Sequence, residues 1–83
     1  MANNKSAELE ELKEYKNDLE EELETLTKSL ETHERIKEFP AIYNTEKELI
    51  DQSISLDNEM IDRCKKDIDD INNKLKSLEE QDD

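Results

Sequence analysis

Glycine is missing from this chain altogether, and proline occurs once, at Pro40. Tight β connections draw on glycine for positive φ, so sheet-rich and turn-rich folds find no support here. Tryptophan is also absent, and the only aromatics are two tyrosines and one phenylalanine. The single cysteine, Cys64, has no intramolecular disulfide partner, and one cysteine with one histidine does not assemble a zinc site. No apolar run follows Met1, and no stretch approaches the ~20 apolar residues of a membrane span. The expectation is a cytoplasmic protein with no membrane partner, a single domain over 1–83 too short to bury a large core unaided.

What the chain does have is charge and rhythm. Charged residues make up 45% and hydrophobic ones 31%, with a formal net charge of −13. That excess of acid opposes nucleic-acid phosphates and anionic lipid, so direct nucleic-acid binding is not expected and charged partners should be basic.

Apolar residues recur at alternating intervals of three and four, the mark of a helical seam. The first series is Leu9, Leu12, Lys16, Leu19, Leu23, Leu26, Leu30 and His33. The second is Ile50, Ile54, Asp57, Ile61, Cys64, Ile68, Ile71, Leu75 and Leu78. Ser6 is placed to cap the first helix, and Pro40 disfavours helical geometry at Phe39 before it. The segment "TEKE" from Thr45 reads as a capping box for the second. The spacing therefore predicts helices over about 7–38 and 45–80, joined by a connection over about 39–44. So short a link favours antiparallel neighbours, with Leu9 opposite Leu78 and Leu30 opposite Asp57.

The fold class is thus all-α: an antiparallel, coiled-coil-like two-helix hairpin. One stripe per helix, at ~25 cal/mol per Å2, offsets the ordering entropy only narrowly. Dimerisation to a four-helix bundle would complete the core. Leu49, Leu56 and Met60 lie beside the second seam, and Ile36 lies at the end of the first helix. With Phe39, Ile42 and Tyr43 they make the turn end apolar, and these seven residues form the expected partner-binding set. The plainer reading, that Phe39, Ile42 and Tyr43 plug the end of the hairpin, is compatible with it.

Asp57 and His33 are the polar members of the seam that matter most. A buried carboxylate needs a partner, His33 lies about one turn away across the hairpin, and such a pair would fix the register. Cys64 reads as a small hydrophobe and Lys16 as a residue whose stem packs while its amine reaches water. The acidic runs at Glu20, Glu21, Glu22, Glu24 and at Asp67, Asp69, Asp70 lack calcium-loop spacing and read as a solvated face. No glycine-rich phosphate loop, Ser-His-Asp constellation or basic patch is apparent, so neither an enzyme nor a cofactor or metal site is expected.

The segment "LIDQSISLD", Leu49 to Asp57, resembles the Ser-x-x-Leu-Asp signature of the small Spo0E-like aspartyl-phosphate phosphatases, which are acidic helical hairpins. The resemblance implies a role for Asp57 in dephosphorylating a response regulator. The chain departs from that pattern with Ile54 and Ser55 in place of Gln-Glu, and with Glu59 where an apolar residue is usual.

Three functions follow in order. The first is a non-enzymatic interaction protein that self-associates, as a homodimer, or docks on partner helices through its apolar stripe and turn end. The second is a small acidic inhibitor, of a kind found in phages, whose carboxylates imitate nucleic acid in the basic groove of an enzyme. The phosphatase comes third.

Overall fold

The computed structural model describes residues 2–39 and 44–81, with side chains from Lys5 to Phe39 and from Glu46 to Gln81. Ile42 and Tyr43 of the expected partner-binding set, and the Thr45 hydroxyl of the expected capping box, lie outside them. Two helices, α1 (Ala2–Lys37) and α2 (Asn44–Glu80), pack against each other as an antiparallel pair measuring 63 × 14 × 13 Å.

α1 starts earlier than the sequence suggests. Ser6 lies inside the helix, not at its cap, because nothing in "ANNK" breaks a helix and the first turns have a tertiary anchor. That anchor is the Lys5 ammonium, which donates to the Gln81 carbonyl at 2.7 Å. The other end closes as Pro40 requires: the amides of Glu38 and Phe39 donate to the carbonyls of Arg35 and Ile36 at 3.2 and 3.1 Å, tightening the last turn. Arg35 and Lys37 there complement the negative end of the helix dipole. α2 starts at Asn44, one residue before Thr45.

The register is fixed by contacts along the whole seam. The Cys64 thiol meets the Leu19 carbonyl, Ser29 and His33 meet Asp57, and the Lys37 ammonium meets Asp51 at 2.7 Å. A slip of one heptad, about 10 Å of helix, would part all of them at once. Leu19, Ile61, Cys64, Ile71 and Leu75 are buried, with Leu9, Leu12, Leu23, Leu26 and Ile68 packed half-buried against the core. The core is one side chain deep, and among the described residues no side chain falls below 2% exposure. Among the described residues, no helix is long and apolar enough to cross a membrane.

Each helix pair has two flanks, and they differ in kind. One runs through Glu20, Glu24 and Glu34 of α1 and Asp51, Asp62 and Asp69 of α2, and carries no apolar residue. The other follows the seven-residue series Glu8, Tyr15, Glu22, Ser29, Ile36 on α1 and Ser53, Met60, Asp67, Lys74, Gln81 on α2. Among the described residues of the two helices, the exposed large hydrophobic side chains Tyr15, Leu49, Leu56 and Met60 all lie on this second flank. Two open grooves confirm that the series share one side. Tyr15 and Leu12 line one of about 780 Å3 with Lys74 and Leu78, and Ile36 lines one of about 310 Å3 with Glu46, Leu49 and Ile50.

Candidate functional site

The half of this flank nearer the turn stands out by composition. It consists of Thr25, Ser29, Thr32 and Ile36 from α1, Phe39 just beyond that helix, and Glu46, Leu49, Ser53, Leu56, Met60 and Arg63 from α2. In a chain where 45% of residues are charged, these eleven include one carboxylate, Glu46, and one cation, Arg63, at the edge. The far half of the same flank holds Glu8, Glu11, Asp18, Glu22, Asp67 and Asp70.

The hydroxyls of this half-face are already bonded within the hairpin. Thr25 donates to the Glu21 carbonyl at 3.1 Å, Thr32 to that of Lys28 at 2.9 Å and Ser53 to that of Leu49 at 3.0 Å. Such bonds to the preceding turn are open to Ser and Thr within helices. Ser29 donates across the seam to Asp57 at 3.3 Å. These four hydroxyls can be stripped of water without being orphaned, which lowers the usual cost of covering polar groups.

The expected partner-binding residues are partly assembled. Ile36 and Leu49 share a groove, and Leu56 and Met60 continue the same side at 54% and 39% exposure. Phe39, just beyond the end of α1, is 54% exposed. Thr25, Ser29, Thr32 and Ser53 were not anticipated. The signal was a seven-residue recurrence, Thr25-Thr32-Phe39 and Leu49-Leu56-Arg63, that an inventory of hydrophobic residues passes over.

In the seam, Asp57 is 7% exposed. Its Oδ2 lies 2.6 Å from His33 Nδ1, and the Ser29 hydroxyl donates to both carboxylate oxygens, at 3.4 and 3.3 Å. Among the described residues, no buried side-chain nitrogen or oxygen lacks a partner. The chain does bring a serine, a histidine and an aspartate together, contrary to the sequence reading. The arrangement is not that of a hydrolase triad, which places serine and aspartate on opposite nitrogens of the imidazole. Here Ser29 lies 3.5 Å from Nδ1, the same nitrogen that faces Asp57. Aspartate, histidine and serine form a structural clasp across the two helices.

Cys64 is 4% exposed and its thiol donates to the Leu19 carbonyl at 3.0 Å. Burial pushes the thiol above its ordinary pKa, and the Glu22 and Asp67 carboxylates push it further; a hydrogen bond with the Leu23 backbone acts weakly the other way. Arg63, Lys65 and Lys66 do not reverse this, so the thiol is held neutral.

Glu20, Glu21, Glu22, Glu24, Asp67, Asp69 and Asp70 are all exposed. The helical repeat divides them, with Glu20, Glu24 and Asp69 on the polar flank and Glu22, Asp67 and Asp70 on the other. They form a belt around the middle of the hairpin. Among the described residues, no group of His, Cys, Asp and Glu is arranged to hold a metal ion.

Comparison with protein-family models, with curated proteins and with solved structures gave no match.

Proposed function

We propose that this protein is a cytoplasmic, non-enzymatic interaction module whose turn-proximal half-face docks helices, a second copy included, to complete a four-helix layer. The observation that carries the reading is the half-face itself: eleven residues with one carboxylate, Glu46, in a chain of net charge −13, with its hydroxyls bonded internally. Depletion of charge at the centre with a charged rim is the compositional signature of a docking surface. Phe39, Leu49, Leu56 and Met60, exposed large hydrophobics, supply its apolar area.

The test is capture of helical partners on the immobilised chain, at low and high salt, with Leu56→Asp and with Glu21→Gln/Glu22→Gln. Helix docking predicts capture that survives salt and fails on Leu56→Asp, since apolar contact is not screened. Capture that collapses with salt and with the two glutamine substitutions, while ignoring Leu56→Asp, would replace it with the acidic-inhibitor reading. Loss on neither variant would leave the half-face without a role.

A further inference from the structure

We infer that the open-end half of the same flank is a second docking site, one that takes a basic amphipathic helix of another protein. It is separate from the turn-proximal half-face and stands or falls without it.

The centre of the site is the groove of about 780 Å3. Leu12 and Leu78, both half-buried, supply its apolar floor, and Tyr15 stands over them at 54% exposure. The groove lies open between two helices and encloses nothing, a shape that suits a helix laid across it better than a small molecule. Both described elements are helices, so no strand edge is offered to an extended peptide.

Charge sets the chemistry of the occupant. Over residues 8–22 and 67–81 this flank presents Glu8, Glu11, Asp18, Glu22, Asp67 and Asp70 against one cation, Lys74. The next positions outward add Glu14, Glu21 and Glu80 against Lys66, while Lys5 at the open end is tied to the Gln81 carbonyl at 2.7 Å. Among the described residues, none of these carboxylates forms an ion pair. Tyr15 stands among four of them on its own helix, with Glu11 and Asp18 one turn away and Glu8 and Glu22 two turns away. An aromatic ring set among unpaired carboxylates receives a Lys or Arg side chain, whose stem packs on the ring while its charge meets the acids. Apolar residues of the same partner, three and four apart, then cover Leu12 and Leu78. From Glu8 to Glu22 is ~21 Å, so about four turns of a partner helix engage the whole stretch. A second copy of this chain, with the same net charge of −13, is repelled from this site, and so is nucleic acid.

The experiment titrates the full chain with a labelled probe peptide of about 18 leucines and lysines, patterned as an amphipathic helix, and reads binding by fluorescence anisotropy. A scrambled peptide of the same composition is the control, and salt is held at about 0.15 M. The patterned peptide should bind, and the scrambled one should bind roughly tenfold more weakly. Tyr15→Ser should weaken the patterned peptide roughly tenfold, and Glu8→Gln/Glu11→Gln roughly fivefold. Glu20→Gln/Glu34→Gln removes the same charge from the polar flank and should change binding less than about twofold, while Leu56→Asp should not weaken it. All of these side chains are exposed, so helicity should be unchanged in every variant. Equal weakening by the two glutamine pairs, equal binding of the scrambled peptide, or no binding at millimolar peptide overturns the inference. Loss on Leu56→Asp with no effect of Tyr15→Ser moves the helix to the turn-proximal half-face, which rejects this site and leaves the docking reading above intact.

Discussion

His33 Nδ1 and Asp57 Oδ2 lie 2.6 Å apart across the seam, with the Ser29 hydroxyl donating to the same carboxylate. Removing either partner leaves the other's polar group less satisfied at a half-buried site, so the two deletions should not add. A cycle of His33→Ala and Asp57→Ala, read by urea unfolding, is expected to give a coupling of about 1–3 kcal/mol. A coupling near zero would reduce the pair to a coincidence of packing.

The same clasp has a cost that an apolar residue would not carry. Replacing both partners, as in His33→Leu/Asp57→Ile, should raise stability, by up to a few kcal/mol, because well-packed hydrophobes often outperform a buried polar pair. It should also blur the register. The check is the amide spectrum: one set of peaks for the natural chain and extra or broadened peaks for the variant. A variant that is more stable and equally uniform would show that the other seam contacts set the register without help.

Ile61 and Leu56 lie about one and a half turns apart on α2, yet one is 7% exposed and the other 54%. Ile61→Ala should therefore cost about 2–4 kcal/mol and Leu56→Ala at most about 0.5 kcal/mol, measured at concentrations low enough to keep the chain monomeric. Equal losses would mean that Leu56 has cover within the hairpin itself.

Cys64 gives the fold a dependence on alkaline pH. Burial raises the thiol in the folded state, so above roughly pH 8.5–9 the unfolded chain releases a proton that the folded chain retains. The unfolded state then binds fewer protons, and stability falls as pH rises. Cys64→Ala should remove that part of the slope, seen as a shrinking difference between the two chains from pH 8 to pH 10 in urea titrations. A difference constant with pH would show that the folded thiol titrates normally.

The seam was legible in the sequence because intervals of three and four mark one stripe regardless of what surrounds it. Leu19, Ile61, Cys64, Ile71 and Leu75 were all on it. The start of α1 was not, because a serine is permitted inside a helix and the contact of Lys5 with Gln81 that extends it spans the whole chain. Ser29 was missed for a related reason: its role depends on which flank of α1 turns toward Asp57, and one helix alone does not say. The half-face became visible only once two antiparallel helices put Thr32 beside Leu56. Neither helix presents it by itself.

The elongated shape has a hydrodynamic consequence. A rod of 63 × 14 × 13 Å tumbles end over end far more slowly than it spins about its length. In both helices the amide N–H bonds lie close to that long axis, so spinning barely reorients them. Amide relaxation will register almost only the slow motion, and a 9.8 kDa chain will relax in solution as a considerably heavier globule does.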